Sequence, residues 1–163
     1  MFQLKAVSSA SPDLLYAELA QQLTGLLADE RDMIANAANS AALIFNTLPD
    51  LNWAGFYFLQ GDMLVLGPFQ GKPACVRIAV GQGVCGTAVQ QRKTQLVADV
   101  NDFPGHIACD VASRSELVVP LIHDGRVIGV LDLDSPTPAR FTPIDQAGIE
   151  RLAQIFVAGS SFA

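Results

Sequence analysis

Basic residues are scarce in this sequence: ten Lys and Arg stand against sixteen Asp and Glu, a formal net charge of −6. Such a field repels polyphosphate, and no Lys/Arg stripe offsets it, so neither nucleic acid nor an anionic membrane surface is expected as a partner. Long apolar runs are missing too. No stretch approaches the roughly 18 residues of a membrane span, and Met1 to Ala10 lacks the basic region and apolar run of a signal peptide. A soluble, unexported, cytoplasmic protein is expected. Cysteine is sparse and odd in number: Cys75, Cys85 and Cys109, spaced by 10 and 24 residues, fit neither a secreted disulfide framework nor a paired CxxC zinc site. In a reducing compartment reactive thiols become the leading idea, against the plainer one that each is a small buried apolar residue.

What is abundant is core material. Half of the 163 residues are hydrophobic and only 16% are charged, enough for a single domain over residues 1–163 that buries roughly two thirds of its unfolded surface. Ser11, Pro12 and Asp13 supply a cap, a first-turn proline and an early acid, and Leu15, Leu19, Leu23 and Leu26 recur at helical spacing to about Ala28. Ile34, Ala37, Ala41, Ile44 and Leu48 repeat the pattern before Pro49 stops it. Both helices are expected to cover one face of a sheet.

From Leu51 the period changes to two. A strand to Leu59, a Gly61-Asp62 turn and a strand to Leu66 read as a hairpin. Val76–Val80 reads as a strand, Val84–Arg92 as a short helix, Gln95–Ala98 as an edge strand and Asn101–Ser113 as a polar loop. A second hairpin, Leu117–Ile122 and Val127–Leu133, flanks an Asp124-Gly125 turn, and Thr142-Pro143 caps a closing helix bearing Ile149, Leu152 and Phe156. Helices, then strands, then a helix favour an α+β fold with a mainly antiparallel sheet.

Several positions carry chemistry. Trp53, Gly55 and Tyr57 share a strand face; aromatics there usually mean core, but the intervening glycine leaves a gap in which a ligand could lie. Asp132 and Asp134 point to the same face as Ile128 and Val130, although acids at a strand end often simply reach water. Whether Glu116 joins them depends on register. A two-residue turn sets it opposite Leu133, facing away; a three-residue turn ending in a left-handed Gly125 sets it opposite Asp132, on the shared face, and this second register is the expected one. Three carboxylates together suit gripping an ammonium and, with one protonated, donating a proton.

Gly81-Gln82-Gly83-Val84-Cys85-Gly86 matches GxGxxG, but no βαβ unit follows, so the glycines read as shaping a strand-to-helix turn whose free amides could hold a carboxylate. His106 and Asp110 flank Cys109 without a second compact pair, so no metal is expected there. His106 could help stabilise a Cys109 thiolate.

With these residues in view, the sequence resembles the free methionine-R-sulfoxide reductases, which are built on a stand-alone GAF domain. The resemblance spans nearly the whole chain. It rests on Trp53-Ala54-Gly55-Phe56-Tyr57, on Gly71 and Ala74-Cys75 leading into Gly81 to Ala88, on His106-Ile107-Ala108-Cys109-Asp110, on Ser115-Glu116, and on Gly129 to Ser135. It implies a GAF-like fold with a six-stranded antiparallel sheet between helices, and reduction of free rather than protein-bound methionine sulfoxide. It places the nucleophile on Cys109 and the resolving thiol on Cys75, with Cys85 a third cysteine that replaces or relays it. It gives substrate binding to Glu116, Asp132 and Asp134, and an aromatic wall to Trp53 and Tyr57. No bound cofactor is implied; thioredoxin is the implied external reductant and a homodimer the implied assembly. Two other readings share features of the chain. A GAF-type regulatory module would need no redox cysteines and would normally sit beside an effector domain. A disulfide-switched sensor would keep the cysteines without turnover.

Overall fold

The computed structural model describes residues 11–105 and 110–162. Cys109 and His106 lie outside the described residues, and so does the whole Met1 to Ala10 stretch considered above.

Three helices lie on one side of the sheet: the second and the last pack against its strands, while the first, expected to cover the sheet too, packs mainly on the last. Helix α1 (Pro12–Leu26) starts where the Ser11 side chain accepts from the Leu14 amide, with Pro12 in the first turn. Helix α2 (Met33–Thr47) is capped by Asp32, which accepts from the Ala35 amide at 2.8 Å. Helix α4 (Pro143–Gly159) opens on a reciprocal capping box between Thr142 and Asp145. Asp145 also accepts from the Tyr16 hydroxyl at 2.7 Å and pairs with Arg140 at 3.1 Å. One buried carboxylate thereby ties α1 to α4, each of its acceptor sites filled by a donor.

The strands are β1 (Trp53–Gln60), β2 (Met63–Gly71), β3 (Arg77–Ala79), β4 (Gln95–Val97), β5 (Ser115–His123) and β6 (Arg126–Ser135), with helix α3 (Gly83–Gln91) between β3 and β4. They form one six-stranded sheet in the order β3-β2-β1-β6-β5-β4, and every neighbouring pair is antiparallel. This is the α+β architecture that the order of elements implied. Alternation along the strands splits the core in two. Ala54, Phe56, Leu117, Val119, Leu131 and Leu133 pack under α1, α2 and α4. Trp53, Tyr57, Val118 and Val130 point the other way, toward Val84, Cys85, Ala88 and Val89 of α3.

Two local departures shape that second face. Strand β2 does not end at Leu66 as expected; it runs on through Gly67 and Pro68 because these two residues together oppose Phe56 in a bulge. A bulge is where a strand tolerates a proline that lacks the ladder donor. The second departure lies in the β5–β6 hairpin. Its turn is not the expected three-residue one. His123 pairs with Arg126, and Asp124 and Gly125 both take positive φ, 46° and 73°, the geometry of a type I′ turn. Ile128 is instead the extra residue, since Ile122 pairs with Val127 and Leu121 with Gly129. The bulge reverses the alternation at that point, so Ile128 packs on the helix side, not on the face of Val130 as expected, while Val127 joins the other core.

Candidate functional site

The site is built on the face covered by α3, across the three central strands. Because of the Ile128 bulge, Glu116 stands opposite Asp134 rather than Asp132, and Val118 opposite Asp132. On the other side of β6, Trp53 is opposite Asp134 and Gly55 opposite Asp132. An aromatic and two acids thus form one cross-strand row, Trp53–Asp134–Glu116, with Asp132 two residues along on the same side of the pleat. The structure brings the three carboxylates to one cavity, by a register different from the expected one.

The aromatic wall is tightly packed. Trp53 stacks on Tyr57 at 5.9 Å and on Phe69 at 5.3 Å between centroids. The gap expected above Gly55 does not exist, since a Cβ there would lie 2.4 Å from the Phe69 Cβ and 2.6 Å from the Trp53 ring. The glycine makes room for the indole and not for a ligand. Trp53 donates its ring N–H to the Lys72 carbonyl at 3.1 Å, and Tyr57 donates its hydroxyl to the Cys75 carbonyl at 2.9 Å. The wall thereby holds the Lys72–Cys75 segment in place.

The glycine-rich turn behaves as read. Gly81 and Gly83 take positive φ, and the amide of Gly81 donates to the Gly86 carbonyl at 2.9 Å. Gly86 lets α3 press on β3, where a Cβ would come 2.3 Å from the Ala79 carbonyl oxygen. That close approach carries Cys85 down onto the acids. Its Sγ lies 3.3 Å from Asp132 Oδ2 and 4.0 Å from Glu116 Oε1. Cys85 is a free, buried thiol, whereas Cys75 is disulfide-bonded.

Burial sets the protonation of this cluster. Glu116 is pushed well above the usual carboxylate range, first by desolvation and then by Asp132 and Asp134. Asp134 is raised in the same way, by burial, Asp132 and Asp110. Asp132 is raised to about 7 by burial, against the opposing hydrogen bond from Cys85. Burial and the same acids push the Cys85 thiol up. Carboxylates this close in a dry site cannot all ionise, so the cluster offers both a charge and an acidic proton near neutral pH. Asp132 Oδ1 is buried with no hydrogen-bond partner among the described residues, an acceptor left for something the cavity receives.

The cavity, about 40 Å³, is lined by Trp53, Tyr57, Cys85 and the three acids, and also by Lys72, Asp110 and Ser113. Lys72 pairs with Asp110 at 3.3 Å, and Asn52 donates to Ser113 Oγ at 3.0 Å and to Asp110 Oδ2 at 3.4 Å. Sequence reasoning did not single out Asn52, Lys72 or Ser113. They meet across three separate loops, and no spacing signals that.

Comparison with known proteins gives this geometry a context. The GAF domain family model matches residues 28–157. The free methionine-R-sulfoxide reductase of Escherichia coli is 54% identical over 137 residues, covering 84% of this chain and 83% of the relative; that of Saccharomyces cerevisiae is 41% identical, covering 91% and 87%. The chain belongs to the free methionine-R-sulfoxide reductase family. Among solved structures, the Neisseria meningitidis free methionine-R-sulfoxide reductase in complex with its substrate is 45% identical and superposes with a TM-score of 0.94 over 98% of this chain and 95% of that one. Reduction of a sulfoxide needs a polarised S–O bond and an attacking thiolate; the described residues form an acidic, aromatic-walled cavity. The cysteine matched to the family's nucleophile, Cys109, belongs to the residues not described.

Proposed function

We propose that this chain reduces free methionine-R-sulfoxide to methionine, with Cys109 as nucleophile, Cys75 as resolving thiol, and Glu116, Asp132 and Asp134 as the groups that bind and polarise the substrate. The observation that carries the reading is the convergence of three buried, pKa-raised carboxyls beside a packed indole. A sulfoxide is a poor electrophile until its oxygen is protonated or hydrogen-bonded. A carboxyl that burial and its acidic neighbours hold well above the usual carboxylate range, as they do Glu116, favours the protonated form that this step consumes.

The chemistry balances as follows. The Cys109 thiolate attacks the sulfoxide sulfur while a carboxyl proton passes to the oxygen. The oxygen ends on Cys109 as a sulfenic acid, and methionine leaves with its sulfur reduced. The Cys75 thiol then attacks the sulfenic sulfur, expelling water and forming a disulfide that an external dithiol exchanges away. Ionised Asp132 or Asp134 would hold the substrate ammonium, a charge that a methionine sulfoxide within a peptide chain lacks. A disulfide-bonded Cys75 beside a free Cys85 supports giving the resolving role to Cys75. Thioredoxin as the dithiol, a cytoplasmic site and a homodimer of single-domain chains complete the proposal.

The test is NADPH consumption coupled through thioredoxin and its reductase, run with each sulfoxide epimer. Turnover of the R epimer of the free amino acid is expected. Reversible oxidation of the cysteines with no sustained NADPH consumption would point to a disulfide-switched sensor instead.

A further inference from the structure

The cluster around Cys85 has a donor chemistry beyond the reduction step. One ligand atom each from Cys85, Glu116 and Asp132 lies within 4.8 Å of the other two, and all three residues are buried. In a tetrahedral zinc site, with oxygen at about 2.0 Å and sulfur at about 2.3 Å from the metal, neighbouring ligand atoms stand roughly 3.3 to 3.6 Å apart. The 3.3 Å from Cys85 Sγ to Asp132 Oδ2 already has that spacing, and the 4.0 Å to Glu116 Oε1 exceeds it by little. A thiol hydrogen bond accounts for Oδ2 alone. The second oxygen of Asp132, on a side chain 6% exposed that lines the cavity, has no hydrogen-bond partner among the described residues. A buried carboxylate oxygen in that state calls for a cation or a donor. Lys72, a cation lining the same cavity, is paired with Asp110.

We propose that Cys85, Glu116 and Asp132 form a binding site for a thiophilic divalent cation of the zinc class, its fourth position open to the cavity. Glu116 and Asp132 lie 31 and 47 positions from Cys85 along the chain, so no compact sequence motif announces the three. Binding replaces the Cys85 S–H bond with a metal–sulfur bond; the proton leaves to solvent and no oxidation state changes. A thiolate in the ligand set favours zinc, cadmium or cobalt over magnesium or calcium. A metal ion on Glu116 and Asp132 would occupy the carboxyl that polarises the sulfoxide and one of those that hold its ammonium, so the cation competes with substrate. The competition rests on the reductase reading above; the binding does not.

The test uses the full-length oxidised chain, in which Cys75 is disulfide-bonded and Cys85 is free, titrated with Co²⁺ as a spectroscopic probe. The expected result is a thiolate-to-cobalt charge-transfer band in the near ultraviolet that saturates at one metal per chain and is abolished by Zn²⁺. Free methionine-R-sulfoxide should raise the half-saturation concentration. Cys85→Ser should remove the band, and Asp132→Asn should weaken cobalt binding by about tenfold or more, each with a native circular dichroism spectrum. The wild-type spectrum decides the matter even if a variant fails to fold: no band at millimolar cobalt overturns the site. A band that survives in folded Cys85→Ser also overturns it, and one indifferent to the sulfoxide overturns the competition. A chain that shows no band yet reduces the sulfoxide loses the metal site and keeps the reductase reading. One that binds cobalt through Cys85 yet makes no methionine does the reverse.

Discussion

Glu116 stands directly opposite Asp134 across β5 and β6, and that pairing exists because Ile128 is an extra residue in β6. With the two-residue Asp124-Gly125 turn alone, Glu116 would face Leu133 and point toward the helices. The bulge therefore sets the composition of the site from six residues away along β6, Ile128 to Asp134. Deleting Ile128 should either turn Glu116 out of the cavity or leave the hairpin unpaired. Loss of sulfoxide binding with the fold retained is the expected outcome; unchanged binding would show that the register does not matter. Gly125→Ala, by contrast, strains a left-handed position at φ 73° and should cost about 1 kcal/mol of stability in a urea titration while binding persists.

The two kinds of acid should separate kinetically. On the role proposed for Glu116 as proton donor, Glu116→Gln should lower kcat by about 10²- to 10⁴-fold. Asp132→Asn removes a charge available to the substrate ammonium, so its main effect should be a raised KM. Steady-state kinetics with the R epimer check both. Equal effects on kcat and KM from the two variants would mean that the acids act as one unit.

Protonation of the cluster should appear as a pH dependence of stability. In the folded chain burial raises Asp132 from the ordinary carboxylate 3.8 to about 7. The folded state thus holds a proton that the unfolded state has released. The resulting stability is fully present below the ordinary carboxylate range and is lost as pH rises through about 7. The lowered acids Asp99, Asp110 and Asp145 act oppositely, losing their contribution as pH falls below the ordinary range. Substrate-free protein should therefore unfold at higher urea at pH 5.5 than at pH 8, and Asp132→Asn should reduce that difference, leaving the part due to Glu116 and Asp134, which burial raises in the same direction.

Tyr57→Phe deletes the hydroxyl that donates to the Cys75 carbonyl and keeps the ring beside Trp53. A hydrogen bond of this kind contributes about 1 kcal/mol. Its loss should free the segment carrying Cys75 and slow disulfide closure more than methionine formation. Sulfenic acid trapped by dimedone after one turnover should increase; an unchanged yield would remove Tyr57 from the resolving step.

The helices and most strands were legible because their signals are local. Ser11-Pro12 and Thr142-Pro143 mark helix starts by capping chemistry, and the alternation of Trp53 to Leu59 marks a strand. Asp132 and Asp134 share a face by the pleat alone. The register of Glu116 was not legible, since a one-residue bulge inside a regular apolar run leaves no trace in residue type. The strand expected to end at Leu66 runs on to Gly71, because Gly67 and Pro68 together form a bulge within β2. Gly55 was read as a gap because no sequence rule shows that the indole two residues earlier folds back over it. The contact of Cys85 with Asp132 and Glu116 depends on how α3 docks, which is a property of the packed core.

The central claim is that Cys109 performs the chemistry and Cys75 only resolves it. Methionine released per chain from free methionine-R-sulfoxide, with pre-reduced protein and no added reductant, tests this most directly. Cys75→Ser should release about one methionine per chain and stop as a sulfenic acid, whereas Cys109→Ser should release none. Methionine from the Cys109→Ser chain, or none from a folded Cys75→Ser chain, would contradict the account.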